Sequence, residues 1–161
     1  MNADYTLENV FLRAEIQALG AQLVRLRDQR SDQPILWEGD EDIWRESAPW
    51  LFPIIGKLKD DRFFYDGQVW KTPMHGFAKR MRFDLVKADP DTLIMTLKDS
   101  DKTLSVYPWL FEMTVTNHLD GKTLYETCAV TNKDDREMFF SLGAHPGFVC
   151  EKGDTLDFGK E

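Results

Sequence analysis

Cysteine and histidine are scarce in this sequence, two of the former and three of the latter among 161 residues. Neither Cys128 nor Cys150 belongs to a CxxC pair, and the nearby histidines lie at no familiar zinc spacing, so a structural metal site has little support. Two buried thiols are the expected state. Positive charge is in deficit as well, with 20 Lys and Arg against 28 Asp and Glu and a net charge of −8. That sign repels phosphate backbones and anionic lipid surfaces, which makes nucleic acid and membrane poor partners. No apolar stretch approaches membrane-spanning length. Residues 1–10, which include Asp4 and Glu8, lack the basic start and apolar run of a secretory signal, so a cytoplasmic location is expected.

Also missing are internal repeats, low-complexity tracts and linkers, so residues 1–161 are read as belonging to one domain. A chain of this length buries roughly 70% of the surface its unfolded form exposes. No segment carries a sustained 3.6-residue apolar stripe capped at both ends; single helical turns are expected only at 40–44 and 101–105.

What is present is a series of short strands broken by turn signals. Residues 11–16 and 21–27 partly alternate apolar and polar side chains around Gly20, the pattern of a hairpin. Asp66-Gly67 separates 62–65 from 68–71, and Asp120-Gly121 separates 111–119 from 122–132; both dipeptides suit the positive backbone angles of primed turns. In the longer hairpin Phe111, Met113 and Val115 share one face while Glu112, Thr114 and Thr116 share the other, as in a half-buried strand. Further strands are expected at 83–87, 92–98 and 137–142, bounded by Asp89-Pro90-Asp91 and Lys133-Asp134-Asp135. The fold class is all-β, with packed antiparallel sheets, because each half-buried strand needs a second apolar layer to cover it.

Two histidines stand in unusual settings, His75 in Pro73-Met74-His75-Gly76-Phe77-Ala78 and His145 in Gly143-Ala144-His145-Pro146-Gly147-Phe148. Each follows an expected strand, and the flanking Pro and Gly restrict or re-aim the backbone as suits a side chain presented at a loop. An imidazole titrates near neutrality and can give or take a proton there. Spacing alone leaves these two as weak candidates, since they are 70 residues apart and only the fold can unite them. Trp37, Trp50, Phe77 and Phe148 could each present a ring to a sugar or simply fill the core, and Trp50 is assigned to the core. His118, on the polar face of its strand, is expected to face solvent. The acidic stretch 38–42 lacks the ligand spacing of a calcium loop and reads as a solvated turn.

Taken in order, APWLFPIIGKLK at 48–59, MHGFAK at 74–79, Tyr107-Pro108 and FFSLGAHPGF at 139–148 resemble the aldose 1-epimerase, or galactose mutarotase-like, family. The resemblance is strongest to its bacterial branch associated with lactose and galactose operons. It implies the N-terminal portion of a large antiparallel β-sandwich with an open cleft for a hexose such as galactose or glucose. No metal or organic cofactor is implied. The implied reaction is interconversion of α and β anomers, with His145 as the general acid toward the ring oxygen. His75 becomes the second histidine holding that oxygen or a neighbouring hydroxyl, and Phe77 a wall of the sugar site. Lys57 stands where the family commonly has an Arg, a departure that replaces a planar fork with a flexible point charge.

The family's base is a glutamate far toward the C-terminus, and an aspartate before it binds sugar hydroxyls. Neither has a counterpart here, and Asp154, Asp157 and Glu161 lie in the wrong segment to inherit those roles. The chain alone is therefore expected to be inactive or weakly active, with exposed sheet edges that a missing C-terminal half or another copy of the chain would cover. The alternatives are a non-catalytic carbohydrate-binding or sugar-sensing module, or a subunit whose sheet edge is its functional surface.

Overall fold

A computed structural model describes residues 2–159; Glu161 lies outside them. Strands β1 (Tyr5–Glu8), β2 (Leu12–Gln17), β3 (Gln22–Asp28) and β4 (Gln33–Pro34) form an antiparallel sheet in chain order. A second antiparallel sheet has the order β11-β10-β9-β8, from β8 (Asp84–Ala88), β9 (Thr92–Lys98), β10 (Phe111–Asp120) and β11 (Thr123–Asn132). Two-residue strands β5 (Trp50–Leu51) and β12 (Gly143–Ala144) pair with each other, and β6 (Arg62–Tyr65) with β7 (Gln68–Lys71).

The inner faces follow from side-chain alternation. Leu12, Ala14 and Ile16 of β2 point inward, as do Phe111, Met113 and Val115 of β10, and both sets belong to one buried cluster with Leu93, Met95, Phe52, Tyr107 and Trp109. Trp109 and Tyr107 sit at its aromatic end, ring centroids 4.7 Å apart. The β10 alternation continues to Asn117, which is fully buried beside Glu126 of β11, its directly opposite residue.

The β6–β7 hairpin turns on Asp66 and Gly67, with φ of 50° and 70°, the pair of positive angles a type I′ turn demands. The β10–β11 hairpin turns one residue later than Asp120-Gly121. Asp120 pairs with Thr123, so Gly121-Lys122 is the loop; Gly121 has φ 54° and only the first loop position is left-handed. A single glycine at the leading position suffices for that geometry, which frees Asp120 to extend the strand.

Three other expectations change. Residues 137–142 form no strand. Their carbonyls accept from side chains instead, Glu137 from Trp109 Nε1 at 2.8 Å and Phe139 from the Tyr107 hydroxyl at 3.0 Å. Residues 40–44 form no helical turn, because the Asp40 carboxylate accepts from the Asp42 and Ile43 amides while Asp40 N–H donates to Trp44 O. The thiols are not both buried either: Cys150 is exposed and Cys128 half-buried, at the inner face of edge strand β11. Residues 101–105 do contain a helical turn, α1 (Asp101–Leu104), closed by a capping box between Ser100 and Thr103. Among the described residues no helix is long and apolar enough to cross a membrane.

Candidate functional site

Residues 49–56 act as a backbone template with a histidine on either side. On one side Trp50 and Leu51 pair with Ala144 and Gly143, and the ladder runs on as His145 N–H donates to Pro49 O at 3.1 Å and Gly147 N–H to Ser47 O at 2.8 Å. On the other, Phe52 O accepts from the Phe77 and Ala78 amides at 2.9 and 3.1 Å, and Gly56 O from the His75 amide at 2.8 Å. Segments 70 residues apart are thereby fixed to one strip of chain. The two imidazole centroids lie 6.3 Å apart.

His75 holds its position at a conformational cost. Its φ is +64°, uncommon for a residue with a side chain, and Gly76 follows at +68°. A Cβ at Gly76 would fall 2.1 Å from the Phe52 carbonyl oxygen, so only glycine lets the loop lie this close to the template. The Gly56 amide donates to His75 Nδ1 at 3.1 Å. With Nδ1 accepting, the neutral ring carries its proton on Nε2, which becomes a fixed donor.

His145 is exposed, and Trp44 meets its ring edge-on at 5.2 Å. Among the described residues no hydrogen bond engages its ring nitrogens. Trp44 reaches it because position 147 is glycine: a Cβ there would meet the indole at 2.6 Å. Trp44 O also accepts from Trp37 Nε1 at 2.9 Å, so the two indoles brace the loop.

The cleft between the histidines has a volume of about 280 Å³ and is walled by Trp44, Glu46, Pro49, Leu51, Met74 and Lys79. Glu46 and Lys79 form an ion pair at 2.8 Å, with the Lys79 side chain only 10% exposed. Neither these two nor Trp44 stood out in the sequence: Trp44 lies in an acidic loop, and Glu46 and Lys79 are 33 residues apart in ordinary surroundings. The one local clue was Lys79 itself, four residues beyond His75 in the same motif.

Lys57 follows Gly56 directly, which places it beside the His75 loop. Its side chain is 61% exposed, pairs with Asp61 at 3.6 Å and does not wall the histidine cleft. Phe77 is 7% exposed and packs among Phe52, Tyr107 and Phe111, at 6.0, 6.2 and 5.9 Å, so its ring is placed in the core. Trp50 is likewise buried, and Phe148 lies half-exposed near Ile35. His118 is tied into its sheet, with Nδ1 2.9 Å from the Thr92 hydroxyl and its ring stacked on Tyr125. In the acidic stretch, Glu38 accepts from Arg27 at 2.8 Å. No cluster of three His, Cys, Asp or Glu side chains placed to hold a metal ion occurs among the described residues.

The arrangement offers two proton-transfer groups across a gap of a few ångströms, one already poised as a donor. A family model described as aldose 1-epimerase matches residues 3–158. The plasmid-encoded protein LacX of Lactococcus lactis subsp. lactis is 31% identical over 153 residues, covering 89% of this chain and 50% of that protein. The crystal structure of a galactose mutarotase related enzyme from Lactobacillus acidophilus superposes with a TM-score of 0.89 at 34% identity, over 98% of this chain and 51% of that one. A galactose mutarotase-like protein from Lactobacillus casei gives 0.87 at 33% identity, over 89% and 49%. The chain thus spans about half the length of the relatives it matches.

Proposed function

The chain belongs to the aldose 1-epimerase family, and from that premise we propose that it supplies the histidine half of a site that interconverts the α and β anomers of a hexose such as galactose or glucose. Ring opening moves a proton onto the ring oxygen as another leaves the anomeric hydroxyl. The bond from the anomeric carbon to the ring oxygen breaks and an open-chain aldehyde forms. Rotation about the adjoining carbon–carbon bond followed by reclosure, with both proton transfers reversed, gives the other anomer.

In this reading His145 is the general acid, giving its proton to the ring oxygen and recovering it on closure. His75 donates from Nε2 to the same oxygen or to the hydroxyl beside it. Lys57 reaches the sugar's outer hydroxyls from the end of the template, with less directional control than an arginine would have. Phe77 serves the site indirectly, by packing behind the template. The catalytic base, and the strands that would pair with the free edge of β11, are sought in the half of the relatives that this chain does not span.

The observation that carries the proposal is the 6.3 Å approach of two imidazoles, one held by Gly56 in the tautomer that donates from Nε2. Polarimetry starting from pure α-galactose and pure α-glucose tests it, on a version extended with the unspanned half of the Lactobacillus acidophilus protein. A positioned acid contributes about 10²–10⁴-fold in rate, so His145→Ala should lose that much. An extended protein that binds hexoses but leaves their anomers to interconvert at the uncatalysed rate would replace the enzyme by a carbohydrate-binding module.

A further inference from the structure

Beside the histidine cleft lies a second one, of about 480 Å³, within the range typical of small-molecule sites. Lys79 and Glu46 wall both clefts, so their ion pair is the partition between them. The pair is fixed to the same elements as the histidines: Lys79 stands four residues beyond His75, and Glu46 two beyond Trp44. The far walls come from β2 and β3, through Gln17 and Gln22, and from the loop that carries Glu41 and Arg45, with Arg80 closing the near side.

The chemistry of the second cleft is mixed and balanced. Glu46 is neutralised by Lys79 and Glu38 by Arg27, while the Asp40 carboxylate is occupied by the amides of its own loop. What remains along the cleft is one exposed carboxylate, Glu41, with two guanidinium groups, Arg45 and Arg80, that make no ion pair among the described residues, together with the amides of Gln17 and Gln22. Gln22 uses Oε1 to accept from the Ser47 and Ala48 amides at 3.1 and 3.3 Å, which fixes the side chain. A polyanion would meet too little net positive charge here. A neutral polyhydroxyl unit would find both acceptors and donors within one wall.

We propose that this cleft is a second sugar subsite. It takes the non-reducing hexose unit of a reducing disaccharide whose reducing unit lies between His75 and His145, with the Lys79–Glu46 pair beneath the glycosidic linkage. The proposal rests on the mutarotase reading, yet its test does not depend on turnover.

Affinities of the chain for maltose, cellobiose and lactose are measured by ligand-detected NMR and calorimetry beside those for glucose and galactose. Measurements are repeated on Arg45→Ala, Arg80→Ala and Glu41→Gln, all at exposed positions that do not wall the histidine cleft. At least one disaccharide should bind about tenfold or more tightly than its reducing monosaccharide. The three variants should bring that affinity down to the monosaccharide level while leaving monosaccharide binding unchanged. Equal affinity for disaccharides and monosaccharides, or variants that weaken both alike, would overturn the subsite. So would tight binding of glucose 6-phosphate that the two arginine variants abolish, which would make the cleft an anion site. Failure of the mutarotase reading shows separately, as an unchanged rate of anomer exchange between the extended protein and its His145→Ala form.

Discussion

At Gly76 two constraints meet that are separable elsewhere in the chain. The residue is left-handed, and a Cβ would lie 2.1 Å from a backbone oxygen that cannot move without breaking the Phe77 and Ala78 hydrogen bonds. Gly67 shares the positive φ but has open space around it. Gly67→Ala should therefore cost about 1 kcal/mol of folding stability, the conformational strain alone, and Gly76→Ala about 3 kcal/mol or more. Urea denaturation of both variants reads the difference. Glu126 offers a second test at this scale. Its Oε1 is out of water with no hydrogen-bond partner, and burial pushes its carboxyl up to about 7. A carboxyl raised in the folded state favours folding while protonated, so its contribution is fully present below the ordinary value of 4.5 and is lost as pH rises through about 7. Glu126→Gln should leave stability unchanged near pH 4, raise it above pH 7 by about 3 kcal/mol, and flatten the profile between. Melting temperatures across that window would reveal an unaltered slope if Glu126 is not the responsible group.

Among the elements, those closed by local chemistry were legible in the sequence. The β6–β7 hairpin falls where Asp66-Gly67 puts it, and β9 spans 92–98 as expected, because turn residues and two-residue alternation act over short distances. The helical turn expected at 101–105 is found as α1, and the structure shows it closed by a capping box. Ser100 N–H donates to Thr103 Oγ1 at 2.8 Å and Thr103 N–H to Ser100 Oγ at 3.4 Å, while the Thr103 side chain is fully buried. Ser100→Ala should cost about 1 kcal/mol, seen as a lower urea midpoint with an unchanged slope; a shifted slope would place the effect in the denatured state instead. Residues 137–142 depart from the expected strand because turn signals and apolar side chains cannot report what the backbone will bond. Here the acceptors are met by Trp109 and Tyr107, about thirty residues away. The site divides along the same line. Gly and Pro mark both histidine loops and Lys79 lies within the His75 motif, whereas Trp44 and Glu46 join the cleft through tertiary contacts that no local pattern encodes.

At the scale of the molecule, apolar surface is left open along β11. That edge strand carries Leu124, Cys128 and Val130 on its inner face only half-buried, and burial still pushes the Cys128 thiol up to about 12. Among the described residues the one carboxylate that walls the histidine cleft is Glu46, held by Lys79 at 2.8 Å. That carboxylate is already engaged, and freeing it to act on a sugar would leave the Lys79 ammonium, only 10% exposed, without its partner. On the proposed reading, in which His145 is the acid and His75 the donor, proton removal from the anomeric hydroxyl would fall to water in the chain alone. Since a positioned base contributes about 10²–10⁴-fold, the chain alone should raise the mutarotation rate of α-galactose weakly or not at all, and extension with the unspanned half of a relative should raise it by that factor. Polarimetry on the two proteins at equal concentration decides the matter, with Glu46→Gln made in each. A chain that is fast unaided and slowed by Glu46→Gln would identify Glu46 as the base. Fast turnover that Glu46→Gln leaves untouched would place the base on another residue of the 161 and sink the requirement for the other half.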